Sequence, residues 1–129
     1  MSDTHIRDTS GVMYDRFHFS QAVRSGDLLL CSGQLGTAAD GSVPAEFLDE
    51  ARGAWAAVGT VLAAAGAAPA DIIEVTSYHV GLQSTLPGFM TARDEFLSAP
   101  WPAWTAIGIS ELAVPGARVE IRVTARIPG

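Results

Sequence analysis

Cysteine is nearly absent from this 129-residue chain: Cys31 is its one thiol. A lone cysteine excludes an intrachain disulfide framework. No apolar run reaches the length of a membrane-spanning helix, and nothing has the layout of a signal peptide, so the expected setting is cytoplasmic, with no membrane partner. Basic residues are also few. Eight Lys and Arg stand against fourteen Asp and Glu, a net charge of −6, which argues against nucleic acid as a partner. Gly-x-Gly-x-x-Gly, a Walker-type loop and a Gly-x-Ser-x-Gly elbow are all missing, which removes the commonest nucleotide-binding and serine-hydrolase readings. His5, His18 and His79 lack metal-ligand spacing, so neither metal nor cofactor is expected. What remains, 48% hydrophobic and 17% charged, is the composition of one globular domain over residues 1–129. The polar start, residues 1–13, reads as a loose N-terminal arm.

From Phe17, an apolar stretch, then Ser25-Gly26-Asp27, then Leu28 to Cys31 reads as strand, tight turn and strand. Phe47, Ala51, Trp55, Val58, Leu62 and Ala65 recur every three or four residues, the signature of one long amphipathic helix ended by Gly66 and Pro69. Gly53 and Gly59 inside it imply that something packs closely there. Ile72 to Val80 is rich in β-branched residues and predicts a third strand. A second helix is expected from Ser84 or Thr85 to Leu97, with Pro87 in its first turn. Ala103 to Leu112 and Ala117 to Arg126 read as a final hairpin joined through Ala113-Val114-Pro115-Gly116. Along its last strand Ala117, Val119, Ile121, Val123 and Ala125 alternate with polar residues, so one face is buried. The order ββαβαββ predicts an α+β fold, a mixed sheet with two helices on one face. The other face requires cover, and a second copy of the chain is the simplest source.

Phe19-Ser20-Gln21-Ala22-Val23, Ser32-Gly33-Gln34, and Pro102-Ala103 through Leu112 followed by Val119-Glu120-Ile121 together resemble the RidA (YjgF/YER057c/UK114) superfamily. The likeness runs from about Phe17 to Ala125. It implies a RidA-type, chorismate mutase-like fold. It also implies a homotrimer with a central β-barrel-like core, and clefts between subunits where members hydrolyse reactive enamines and imines to ketoacids and ammonia. In those members an arginine after Pro-Ala grips the substrate carboxylate through two parallel hydrogen bonds. Here that position is Trp104, which offers an apolar face and one N–H. Phe19 stands where the family often has tyrosine and Met90 where asparagine is common, so the implied cleft is more apolar.

The resemblance leaves Glu120 as the candidate catalytic carboxylate, with Phe19, Ser32, Gly33, Met90, Trp104 and Thr105 as candidate substrate contacts. The Gly33 amide would bond a ligand oxygen. Trp101, His79 and Ala106 are further candidates. For each a structural role competes: a solvated or salt-bridged Glu120 near Arg118 or Arg122, boundary filling by Trp104, a satisfied core histidine at His79, and backbone-bonded hydroxyls at Ser32 and Thr105. Cys31, in an apolar strand without a neighbouring base, reads as a buried, inert thiol. The leading expectation is cofactor-free hydrolytic deamination or tautomerisation of an enamine or imine. Two alternatives keep the cleft: catalysis on a larger aromatic or polyketide-like intermediate, and small-molecule binding without turnover.

Overall fold

The computed structural model describes residues 2–128. In chain order it contains β1 (Thr4–Ile6), α1 (Val12–Phe17), β2 (Ala22–Ser25), β3 (Leu28–Cys31) and β4 (Gln34–Leu35). Then come α2 (Phe47–Ala64), a short helical turn at Pro69–Asp71, β5 (Ile72–Val80), α3 (Leu82–Phe96), β6 (Ala103–Ile109) and β7 (Val119–Arg126). One mixed sheet runs β1-β2-β3-β7-β5-β6, with β4 pairing β7 as a side branch. The expected α+β order with two long helices on one face is present, extended by β1, α1 and β4.

The long helices follow their periodicity. Ala51, Ala54, Trp55, Val58, Val61 and Leu62 of α2 are buried against the sheet, where they meet Leu29, Val119, Ile121 and Val123. The two glycines of α2 are the points of closest approach. Gly53 faces the backbone of Gly36 and Gly59 faces the Phe96 ring, while a Cβ on Gly36 would collide with the Glu50 carbonyl. A side chain at Gly36 would push α2 off the sheet. Glu50 is 1% exposed and fastens the same region: it accepts from the Arg118 Nε at 2.7 Å and from the Arg118 and Val119 backbone amides at 2.6 and 3.3 Å.

Three expectations are corrected. β6 and β7 do not form a hairpin: β6 runs parallel to β5, as the α3 crossover requires, and β7 pairs antiparallel on β5's other edge. The turn itself is present, with Gly116 at φ 84° and the Ala117 amide bonded to the Val114 carbonyl at 3.1 Å, but the chain steps over β5 before re-entering the sheet. Alternation decides which face of a strand is buried, not which strand lies beside it. Residues 1–13 are not a loose arm in their described part, since Thr4–Ile6 pairs with Ala22–Arg24 and Val12–Phe17 is helical. Asp8 accounts for the helix: its carboxylate accepts from the Ser10 hydroxyl at 2.7 Å and from the Met13 and Tyr14 amides at 3.4 Å, which takes Phe17 out of the expected first strand. Finally, α3 starts at Leu82, so Pro87 lies inside the helix, not in its first turn.

The sheet's second face is uncovered in the single chain. Leu30 and Ile107 are 40% and 39% exposed there, on the same side as Thr76, Tyr78, Glu120 and Arg122.

Candidate functional site

Glu120 lies on β7 opposite Tyr78, on the uncovered face. It is half-buried, and a Cβ on Gly33 would run into its carboxylate, so the absence of a side chain there is what lets the carboxylate fold down onto the β3–β4 junction. Among the described residues it makes no hydrogen bond or ion pair, and the nearby Arg118 is committed to Glu50. Burial without compensation pushes its carboxyl above the ordinary carboxylate range. The neighbouring strand ends are laced together: the Ser32 hydroxyl donates to the Ser20 carbonyl at 2.6 Å, and the Gln34 amide donates to Gln21 Oε1 at 2.8 Å.

Trp104 belongs to a different construction. It pairs with Val75 on β5, three residues from Tyr78, so it faces the helices while Glu120 faces away from them. Its Nε1–H donates to the Ser77 Oγ at 2.9 Å, Ser77 Oγ lies 2.8 Å from His79 Nε2, and His79 Nδ1 lies 2.9 Å from Thr85 Oγ1. Thr85 donates onward to the Leu82 carbonyl at 3.3 Å. Proton bookkeeping then runs one way. With Thr85 donating to a carbonyl it accepts from His79 Nδ1–H, which leaves Nε2 to accept from the Ser77 hydroxyl and Ser77 Oγ to accept from the tryptophan. Every group in the chain is satisfied by a neutral imidazole, and burial holds the His79 pKa below its ordinary value. Phe89 completes the packing, edge-on to His79 with centroids 5.0 Å apart and stacked on Trp104 at 5.6 Å.

The predicted residues therefore fall into separate groups. Gly33, Glu120 and Thr105, which pairs with Thr76, lie by or on the uncovered face. His79, Trp104 and Ala106, beside Ser77, lie on the helix side; Met90 of α3 and Trp101 are 38% and 53% exposed. Phe19 bounds a cavity of about 400 Å³ with His5, Tyr14, His18 and Ser20. One chain does not bring Glu120 and Trp104 together. Sequence reasoning missed Ser77, Thr85 and Arg93, whose guanidinium carbon stands 5.0 Å from the Trp104 ring centre and 5.3 Å from that of Trp101. The signal for Ser77 was its spacing of two from His79, which puts both on one strand face. Cys31 is buried, and desolvation pushes its thiol up to about 11. No group of three His, Cys, Asp or Glu among the described residues is arranged to hold a metal, and no helix among them is long and apolar enough to cross a membrane.

A mixed sheet of this order with two helices on one side is the YjgF/RidA class of fold. The sequence model described as Endoribonuclease L-PSP matches residues 13–127, and the chain belongs to that family, the RidA (YjgF/YER057c/UK114) superfamily. It is 44% identical over 117 residues to the RutC family protein YjgH of Escherichia coli, covering 90% of this chain and 88% of that protein. It is 32% identical over 105 residues to a 2-iminobutanoate/2-iminopropanoate deaminase of Dermatophagoides farinae, covering 80% of each. Among solved structures, protein YjgH superposes with a TM-score of 0.87 at 38% identity over 100% of this chain and 99% of that one. A Mycobacterium tuberculosis member of the YjgF/YER057c/UK114 family superposes at 0.85 over 98% and 100%, a likeness of fold at 23% identity.

Proposed function

We propose that this chain hydrolyses or tautomerises an enamine or imine in a cleft completed by a second copy, with Glu120 and Gly33 from one copy facing the Trp104 wall of the next. The observation that carries the reading is Glu120, a half-buried carboxylate without a partner among the described residues, seated on Gly33. A carboxyl with a raised pKa is suited to moving protons near neutrality. An enamine would take a proton at carbon from Glu120 while its nitrogen returns one to the same carboxylate. Water then adds to the resulting C=N carbon, and its proton passes through Glu120 to nitrogen. Transfer of the remaining hydroxyl proton breaks the C–N bond, leaving a ketone and ammonia, while the Gly33 amide steadies the oxygen. The opposite-face positions of Glu120 and Trp104 favour a shared cleft, and a trimer supplies three. The deaminase relative supports the reaction class, and the Trp104 side chain supports a substrate bulkier than a small imino acid.

Ammonia release tests the reading, assayed on freshly generated 2-aminoacrylate and on imines of larger oxo acids. Glu120→Gln should fold normally and lose about a hundredfold or more in turnover, the ordinary weight of a general acid–base. Unchanged turnover in Glu120→Gln removes the catalytic role, and a monomer by light scattering removes the shared cleft.

A further inference from the structure

Two arginine side chains are held by acceptors on other elements. Arg118 is held by Glu50 and the Pro44 carbonyl, and Arg52 makes two bonds of 2.8 and 2.7 Å to the two oxygens of Glu95. Arg93 differs. Its side chain is 18% exposed and lies over the faces of Trp101 and Trp104. Its Nε and Nη2 both converge on one oxygen of the adjacent Asp94, each at 2.9 Å. Neighbours in sequence do not face each other on a helix, so this contact is a local one in which the Nε–Nη2 edge shares a single carboxylate oxygen. Among the described residues Nη1 has no partner.

The platform beneath the guanidinium is rigid. Trp104 is fixed by its bond to Ser77 and by Phe89, and its one N–H points into the core. Toward a ligand it can present only a π face. With its carbon 5.0 and 5.3 Å from the two ring centres, the guanidinium sets its N–H donors beside the tryptophans, where a planar anion can meet them. The protein's net charge of −6 gives no general attraction for anions, so recognition of one depends on a local cation.

We infer that Arg93 is the anion-recognition residue of this site, binding the carboxylate of a substrate whose flat apolar body lies along Trp101 and Trp104. The inference rests on the reading that Trp104 lines the substrate cleft. It assigns the substrate class as an aryl-bearing 2-oxo acid or the imine derived from it. Asp94 then occupies the place of the carboxylate when no substrate is bound.

The test is calorimetric titration of the full-length protein with phenylpyruvate and with phenylacetone, which has the same ring and ketone but no carboxylate. Phenylpyruvate should bind the unmodified protein, and Arg93→Met should weaken it about ten- to a hundredfold, the range for loss of a charged hydrogen bond. Arg93→Lys should fall between, and Asp94→Asn should strengthen binding by freeing the fork. Phenylacetone should bind weakly and equally in all four. Equal phenylpyruvate binding in Arg93→Met, no binding by the unmodified protein, or inorganic phosphate competing as well as phenylpyruvate overturns the assignment. If Arg93→Met loses its circular dichroism signal, Arg93→Lys and Asp94→Asn decide. Glu120→Gln separates the two readings: its failure to affect turnover strikes the catalytic role alone, whereas phenylpyruvate affinity independent of Arg93 strikes this one alone.

Discussion

Glu50 and Glu120 are both carboxylates drawn out of water near the start of β7, one on the helix side of the sheet and one on the uncovered side, and the fold surrounds them in opposite ways. Glu50 is sealed beneath α2, where one guanidinium and two backbone amides satisfy it. Glu120 is half-buried on the uncovered face with nothing among the described residues bonded to it and a glycine in place of a neighbour's side chain. A satisfied buried charge fixes geometry, and an unsatisfied one holds reactivity in store. The first joins α2 to the start of β7; the second is the group the proposed chemistry uses.

Removing Glu50 gives the largest expected effect on stability. Glu50→Ala leaves the Nε–H of Arg118, whose side chain is 32% exposed, and two strand-start amides without their carboxylate acceptor, a loss of about 3 kcal/mol or more in a denaturant titration. The buried chain at Ser77 is the intermediate case. Ser77→Val keeps the strand's shape yet strands the Trp104 N–H and His79 Nε2, at a cost of about 1–3 kcal/mol by the same measurement. Stability unchanged in Glu50→Ala would break the comparison at its structural end.

Much of this architecture was legible in periodicity. The spacing of Ala51, Trp55, Val58 and Leu62 set the buried face of α2, and alternation set the buried face of β7. What periodicity does not carry is partnership. The β6–β7 hairpin was misread because a strand's pattern says nothing about its neighbour, and α1 was missed because one side chain, Asp8, organises its start. The site divides in the same manner. Glu120, Gly33 and Trp104 came from resemblance to a family. The separation of Glu120 from Trp104 by the sheet, the Ser77–His79–Thr85 chain, and Arg93 over two tryptophans all depend on register and on contacts between distant segments. Glu50 sits at a helical position indistinguishable from its neighbours until Arg118, 68 residues away, is placed beside it.

The smallest expected effect is on stability at Glu120 itself, and its sign separates the two carboxylates. Burial raises the Glu120 pKa in the folded protein above its value in the unfolded chain, so the folded state holds this proton more tightly. The contribution is therefore fully present below the unfolded carboxylate pKa and is lost as pH rises through the raised folded value. At neutral pH the ionised group is a modest burden, moderated by its remaining contact with solvent. Glu120→Gln, which carries no charge at any pH, should then melt slightly above the unmodified protein at neutral pH. The difference should shrink as pH falls through the folded pKa and disappear below the ordinary carboxylate range. Thermal melts of both proteins across that interval check it. A Glu120→Gln variant that is less stable at neutral pH would mean that the carboxylate is held by a favourable partner, and Glu120 would then belong with Glu50 among the structural charges.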